Sequence, residues 1–257
     1  MITVSERAAP PPGLRTGYLD ALPEPQELFV ENLVKAGRCW SILHGESEIG
    51  YAVIDLDGML VELHLSGAQS MHLTAAFDVL VETCEVRGVL TKSFDANLMF
   101  VALSRPSKPR TLGLMYRTIT DGRLVGSSDI KPRAATHRDL QKLLQIGPDF
   151  FDGPDEVEDY INSDGLIMYE SDGGTALGAG VMKPVVPGRT DIDIGMVVHP
   201  EHRLSGHGAH IISHLKSACL TQTLRPICGC SIDNVGSQKT LERAGFASRH
   251  RVLEFRL

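Results

Sequence analysis

One stretch constrains the fold of this chain more than any other, and it runs from Asp191 to Leu220. Apolar residues fall on every second position from Ile192 to Val198, which is the period of a β-strand. Pro200 ends that strand because proline has no amide hydrogen for a sheet ladder. A glycine-rich turn follows, and apolar residues from Ala209 to Cys219 then recur at helical spacing. The stretch therefore predicts a strand, a glycine turn and a helix in succession.

The turn, from Arg203 to Gly208, has the composition of a phosphate-binding loop. The first amides of a helix lack intrahelical partners, and the helix dipole places partial positive charge there. Gly206 and Gly208 leave room for a phosphate to approach, and Arg203 adds a cation. The P-loop needs a lysine after its second glycine, and the dinucleotide fingerprint needs a third glycine where this chain has Ile211. The turn thus predicts a phosphate or pyrophosphate site of another kind.

Two segments carry a more specific resemblance. The pattern R-x-x-G-x-G, preceded by Val198 and Pro200, closely resembles the acyl-CoA pyrophosphate loop of the GNAT family of N-acetyltransferases. Downstream, Asn234 and Ser237 followed by Gly245-Phe246 are similar to the family's N-x-x-S…G-F segment. The resemblance is strong over about residues 134–257 and weak before them. It implies direct transfer of an acetyl group from acetyl-CoA, a co-substrate, to an amine, with no metal.

The resemblance also assigns residues to the co-substrate. Exposed backbone groups of Met196, Val197 and Val198 would bind the pantetheine arm, and Asn234 and Ser237 would lie near the pantetheine and its thiol. The pyrophosphate would lie against a loop of seven residues, namely Arg203, Leu204, Ser205, Gly206, His207, Gly208 and Ala209.

The catalytic groups are less defined by the sequence. Asp191 and Asp193 share one face of the strand that leads to the thioester, and Asp193 is the first choice for the base that deprotonates the amine. The alternative is a solvated charge or an ion pair at the strand edge. The family often has a tyrosine acid seven residues after the asparagine, where this chain has Leu241. Ser237, Ser231 or solvent would then protonate the leaving thiolate.

An acidic, aromatic stretch falls where the family gates its acceptor. Phe150, Phe151 and Asp152, together with Asp191, would bind a cationic amine through charge and cation–π contacts. The expected acceptor is a small-molecule amine or a peptide amine. The alternative is a solvated helix face whose aromatic residues belong to the core.

The order of strands and helices repeats in the two halves, which predicts an internal duplication. We expect an α/β (α+β) fold with two tandem GNAT-like domains, each a mixed, mostly antiparallel sheet flanked by helices. A single large α/β domain is the alternative. The expected parts are a flexible N-terminal arm (1–25), a degenerate domain without the CoA loop (26–120), a linker (121–133) and the catalytic, CoA-binding domain (134–257).

Composition excludes several classes of function. A net charge of −7 argues against a broad nucleic-acid-binding surface. No apolar run reaches the length of about 18 residues that spans a membrane, and the first residues do not read as a signal peptide. The five cysteines are expected to be reduced in a cytoplasmic protein, either a monomer or a homodimer. Neither Cys228-Gly-Cys230 nor the His210/His214 pair has the context of a metal site.

The sequence leaves two further functions open. A non-catalytic acyl-CoA-binding sensor or structural module would need the same loop, and Leu241 is compatible with it. A dinucleotide-binding oxidoreductase would bind NAD instead, but no acidic residue for a ribose follows a suitable turn.

Overall fold

The computed structural model describes residues 1–120 and 129–257, and the chain forms two compact units. The first unit comprises Met1–Leu114 and His250–Leu257, and the second comprises Met115–Arg249. Each contains a mixed, mostly antiparallel sheet flanked by helices, as the sequence predicted. Residues 121–128 of the expected linker lie outside the described residues. Its last four residues, 130–133, form most of a strand instead.

The first unit contains strands and helices, of which the sequence analysis missed only the first strand and the first helix. In chain order they are β1 (Ile2–Arg7), α1 (Pro12–Ala21), α2 (Leu28–Ala36), β2 (Arg38–His44), β3 (Ser47–Ile54), β4 (Met59–Leu65), a 3-10 helix (Gly67–His72), α3 (Leu73–Thr83), β5 (Gly88–Lys92), α4 (Ala96–Leu103) and β6 (Arg110–Ile119). Strands β1 to β4 pair antiparallel in sequence order, and β4 pairs parallel with β5.

The prediction of a flexible arm over 1–25 is wrong. Strand β1 pairs with β2 along its whole length, from Ile2↔His44 to Arg7↔Cys39. Helix α1 begins at Pro12, which suits a first helical position because its missing amide needs no partner there. Tyr18 on α1 is 2% exposed and anchors the helix in the unit.

The second unit repeats this order. Its elements are β7 (Ile130–Ala134), a 3-10 helix (His137–Asp139), α5 (Leu140–Ile146), α6 (Pro154–Asn162), β8 (Leu166–Ser171), β9 (Ala176–Pro184), β10 (Asp191–Val198), a 3-10 helix (Pro200–His202), α7 (His207–Thr221), β11 (Arg225–Ser231), α8 (Val235–Arg243) and β12 (Phe246–Arg256). Strands β7 to β10 are antiparallel neighbours, and β10 pairs parallel with β11.

The last strand of each unit differs from the expected domain boundaries. The C-terminal part of β12 pairs with β5, from Val252↔Lys92 to Arg256↔Gly88, so the end of the chain completes the first sheet. Residues Met115–Ile119 of β6 belong to the second unit, where β6 neighbours β11. The catalytic domain expected over 134–257 therefore omits Met115–Ile119, which belong to the second unit. It also includes His250–Leu257, which belong to the first unit.

Two glycines let helix α7 lie close to the sheet of the second unit. A Cβ atom on Gly178 would lie 2.4 Å from the carbonyl oxygen of Val197 and 3.1 Å from Ile211. A Cβ on Gly180 would lie 2.9 Å from Leu215. Since Ile211 and Leu215 are fully buried on α7, these glycines make room for the helix that carries the phosphate loop. Among the described residues, no helix combines the length and apolarity needed to cross a bilayer.

Candidate active site

The site begins where strands β10 and β11 separate. Their parallel register ends at Asp193↔Ile227, although β10 continues to Val198. The carbonyl of Asp191 accepts from Val185 on the β9 side. Backbone groups point alternately to the two sides of a strand, so those of Ile194, Met196 and Val198 face the gap.

This alternation shows which of the backbone groups that were predicted to hold pantetheine face the gap. Met196 and Val198 present theirs to the gap, and the carbonyl of Val198 also accepts from Nε of Arg203 at 3.3 Å. Val197 lies six residues after Asp191, so by the same alternation its backbone groups point to β9 and away from the gap. Sequence periodicity could not separate the three, because it does not show which neighbouring strand each residue faces.

The start of α7 leaves its first amides free. The first intrahelical bond of this turn runs from the amide of His210 to the carbonyl of Gly206 at 3.2 Å. Among the residues that the structure describes, no side chain caps the helix at Gly206, which has a left-handed φ of 86°. The amides of His207, Gly208 and Ala209 are thus left for a ligand at the positive end of the helix dipole.

The two loop glycines have different roles. A Cβ on Gly206 would meet nothing within 4 Å. Glycine is favoured at this position because the backbone is left-handed and because a side chain would obstruct the approach to the amides. A Cβ on Gly208 would lie 3.0 Å from Thr240 and 3.3 Å from Sδ of Met196. Gly208 therefore allows close packing, rather than clearing a path for phosphate as the sequence analysis inferred.

A cavity of about 950 Å³ joins the gap to the loop. It is lined by all the residues expected to contact the co-substrate except Ser205, namely Met196, Val197, Val198, Arg203, Leu204, Gly206, His207, Gly208, Ala209, Asn234 and Ser237. The sequence analysis missed several further lining residues, namely Pro148, Asp149, His202, Gly229, Cys230, Lys239, Thr240 and Arg243. Lys239 and Arg243 lie one helical turn apart on α8, a spacing that could have identified them as a basic edge.

Helix α8 is held in place by the N-x-x-S segment. Oδ1 of Asn234 accepts from the amide of Ser237 at 2.9 Å and caps the helix. Asn234 thus shapes the cavity wall by fixing α8, and Ser237 in its first turn lines the cavity. Leu241 also lines the cavity and offers no hydroxyl group.

Asp193 lies beside the cavity rather than in its wall. It shares a face of β10 with Gly195, which lines the cavity two residues, or about 7 Å, further along the strand. Its partner across the sheet is Lys183, whose Nζ contacts Asp159 at 2.5 Å and lies 5.0 Å from the ring centre of Tyr160. Burial, followed by the charges of Glu156 and Asp193, raises the pKa of Tyr160 well above its usual range.

The structure places the residues that were expected to bind the acceptor in different environments. Phe150 lines the cavity and packs edge-on against Phe151 at 4.8 Å between ring centres. Phe151 is 6% exposed in the apolar core, because consecutive residues at this turn point in different directions. Asp152 is exposed, and its amide donates to Glu156. Asp152 and Asp191 do not line the cavity, whereas Asp149 does.

The histidines near the loop occupy two environments. His202 and His207 line the cavity. Burial, followed by the neighbouring His202 and His210, lowers the pKa of His207. His214 instead shares a hydrogen bond of 2.8 Å with the hydroxyl of Tyr169, and burial lowers its pKa. His214 is therefore a packing residue of α7.

The first unit has a corresponding gap with different contents. The register of β4 and β5 ends at Leu60↔Val89. Beyond it, the amide of Gln26 joins the two strands, because its Oε1 accepts from Lys92 at 2.7 Å and its Nε2 donates to Glu62 at 2.9 Å. Lys92 and Glu62 are both fully buried.

Helix α1 completes this buried network. The hydroxyl of Tyr18 accepts from Lys92 at 2.6 Å and donates to Asp95 at 2.5 Å. Arg15 contacts Glu62 at 3.1 Å. The space between the strands is thus bridged by the unit's own side chains, and a 3-10 helix (Gly67–His72) stands where the second unit has its glycine loop.

Comparisons with known proteins identify the family of this chain. A family profile described as "Acetyltransferase (GNAT) domain" matches residues 12–118, and another described as "Acetyltransferase (GNAT) family" matches residues 114–246. The chain belongs to the GNAT acetyltransferase family, with two such domains in tandem. No curated protein sequence matches it.

Solved structures show the same fold at low identity. A GNAT-family acetyltransferase from Colwellia psychrerythraea aligns with a TM-score of 0.85 at 18% identity, over 99% of both chains. A GCN5-related N-acetyltransferase from Sphaerobacter thermophilus gives 0.65 at 11%, over 100% of this chain and 95% of the other. A tandem GNAT protein from the clavulanic acid biosynthesis pathway gives 0.62 at 12%, over 99% and 98%.

Proposed function

We propose that this chain transfers an acetyl group from acetyl-CoA directly to a primary amine of a small molecule or peptide, using the second unit alone. The observation that carries the proposal is the continuity of one cavity from the free amides of α7 to the gap between β10 and β11. This arrangement suits a ligand with a diphosphate at one end and an extended arm with hydrogen-bonding groups at the other.

The residues fit acyl-CoA in three respects. The amides of His207, Gly208 and Ala209 would hold the diphosphate. The gap-facing backbone of Met196 and Val198 would pair with the amides of the pantetheine arm, as a missing strand would. When bound, acetyl-CoA supplies an activated acyl thioester, and the protein's part is to hold the amine beside it and to move protons.

The acceptor would approach from the side of Pro148, Asp149 and Phe150. The carboxylate of Asp149 favours a cationic amine, and the ring of Phe150 adds an aromatic face. The amine must lose a proton before it attacks. Asp193 would accept that proton through water, because it lies about one strand repeat from the cavity wall.

Binding and catalysis are separated by two measurements. The first is thermal shift of the purified chain with acetyl-CoA, CoA, NAD and ATP, where stabilisation by the two CoA species alone is expected. The second is release of free CoA thiol in the presence of a panel of amines and lysine peptides. A non-catalytic acyl-CoA-binding module, with which Leu241 is compatible, would give the shift without thiol release.

The loop is tested by Gly206→Glu, which places a carboxylate in front of the free amides. Gly188→Glu is the matched control, because Gly188 is also left-handed, with φ of 81° against 86°, and also has open space around its Cβ position. We expect Gly206→Glu to lose the acetyl-CoA shift while Gly188→Glu keeps it. A folded Gly206→Glu variant that still binds CoA tightly would overturn the proposed site.

A further inference from the structure

The proposed reaction also needs a proton for the leaving sulfur, and the sequence offered Ser237, Ser231 or solvent as its source. When the C–S bond breaks, the sulfur of CoA departs with the electron pair and needs a proton. Leu241 cannot supply it, and the hydroxyl of Thr240 donates to the carbonyl of Gly236 at 2.8 Å. A thiol lines the same cavity at Cys230.

Cys230 lies on β11 three residues beyond Ile227, where the paired register with β10 ends. Asp193 pairs with Ile227, so Met196 and Cys230 each lie three residues beyond the last paired position of their strands. Residues at such corresponding positions project from the same face of a sheet. Sδ of Met196 lies 3.3 Å from the Cβ position of Gly208, so this face is the one covered by α7.

The exposure of the cysteines singles out the same residue. Cys39, Cys84, Cys219 and Cys228 are buried, and Cys230 alone among the five is partly exposed. A reagent or ligand in the cavity can therefore reach one thiol.

A buried tyrosine is a neighbour of the Cys230 thiol. Tyr116 on β6 is fully buried, and its hydroxyl has no nitrogen or oxygen partner among the described residues. Burial raises the pKa of Tyr116 above its usual range, and the neighbouring Cys230 raises it further. The phenol therefore stays protonated at neutral pH and can donate a hydrogen bond to a thiolate at Cys230.

We propose that Cys230 is the acid that protonates the departing sulfur of CoA, with Tyr116 as its positioning residue. This inference rests on the proposed acetyl transfer. The amine nitrogen forms a bond to the acyl carbon as the C–S bond breaks, and the S–H proton of Cys230 passes to the CoA sulfur. The resulting Cys230 thiolate is stabilised by the hydroxyl of Tyr116 and regains a proton from solvent. No oxidant or reductant is needed.

The location of Cys230 is tested without turnover. The full chain is treated with N-ethylmaleimide and its intact mass is followed over time. We expect one rapid adduct, its loss in Cys230→Ala, and protection of the wild type by CoA that fails in Gly206→Glu. An equally rapid adduct in saturating CoA would place Cys230 away from the bound arm and overturn the proposal.

The chemical role is tested by the pH dependence of thiol release. In the wild type, kcat should fall as pH rises through the range of a cysteine thiol, about 8.5 for an ordinary one. Cys230→Ala should lower kcat about 100-fold and abolish this descending limb, with the acetyl-CoA thermal shift retained. Tyr116→Phe should move the limb to higher pH, because the thiolate loses a donor. Packing alone would not move it.

Other titratable and charged groups surround this pair and could also affect the pH dependence. They are Arg117 on β6, Cys228 on β11, Glu242 on α8 and Lys216 on α7. Cys228→Ala is therefore the matched control and should keep the limb. If Cys230→Ala turns over acetyl-CoA like the wild type, the acid assignment is wrong and the acetyltransferase stands. If the wild type binds CoA but releases no thiol with any amine, both fall.

Discussion

Replacing Lys92 by methionine should destabilise the first unit strongly. Lys92 is fully buried, and its Nζ contacts Asp95 at 3.1 Å, Tyr18 at 2.6 Å and Gln26 at 2.7 Å. Methionine matches the length of the side chain but removes the charge, so Asp95 is left as a buried carboxylate without its cation. Breaking a buried ion pair from one side costs about 3–5 kcal/mol.

Two contacts in the buried network around Lys92 affect this estimate of the free energy. Asp95 keeps the hydroxyl of Tyr18 at 2.5 Å and the amide of Leu98 at 3.2 Å, which favours the lower end of the range. Gln26 loses a donor from its Oε1, and a buried acceptor without a partner adds about 1–3 kcal/mol. We therefore expect a loss of about 4–6 kcal/mol, or about 8–24 °C in melting temperature for a chain of this length.

The assay is urea unfolding followed by circular dichroism and by the fluorescence of Trp40, which lies in the first unit. The control is Lys131→Met, because Lys131 is exposed and pairs with Asp172 at 2.8 Å on the surface. We expect the control to unfold like the wild type. A loss below about 1 kcal/mol for Lys92→Met would refute the reasoning, since it would mean that water reaches the network or that Asp95 needs no cation.

The remaining predictions concern the second unit. Gly178→Ala should cost about 1–3 kcal/mol or more in urea unfolding, because its Cβ would lie 2.4 Å from the carbonyl oxygen of Val197. Gly236→Ala on helix α8 has no such contact, and an equal loss there would contradict the packing argument. Hydrogen bonds from Arg133 hold the pKa of Asp139 well below its usual range. The ionised carboxylate of Asp139 therefore stabilises the fold above about pH 4, and this stabilisation declines as the pH falls further. Asp139→Asn should lower the urea midpoint more at pH 7 than at pH 3, and an equal loss at both would refute the linkage.

The parts of the fold that were predictable from the sequence are those with a strong local pattern. Alternation predicted the strand ending at Val198, and glycine with helical spacing predicted the turn and α7. Each of these features is determined within a few residues of chain.

The missed strands share a physical cause. Both β1 and β7 are edge strands with mostly polar, exposed residues, and their pairing depends on partners far along the chain. Strand β1 has only two apolar residues, Ile2 and Val4, and β7 has a proline at its centre, so neither pattern was long enough to predict a strand. The two omissions occur at the same place in the two copies, which is why the repeat was recognised although its first element was not.

In the candidate site, too, only the features that are determined locally could be predicted from the sequence. Backbone-defined contacts at the loop could be predicted because a glycine turn before a helix fixes its own amides. Cys230 and Asp149 could not, because their place in the cavity depends on the register of β11 and on the turn after α5. Phe151 was assigned to the acceptor because an aromatic residue in sequence looks the same whether it lines a cavity or fills a core.

The sharing of terminal strands has a consequence for how this chain can be divided. A cut between residues 121 and 128 would give an N-terminal piece that lacks His250–Leu257 and a C-terminal piece that lacks Met115–Ile119. Each piece would keep a strand that belongs to the other compact unit and would expose a sheet edge that is paired in the intact protein. The boundary between the two GNAT domains in the sequence is therefore not the boundary between the two compact units, and we expect either half expressed alone to need a strand from the other.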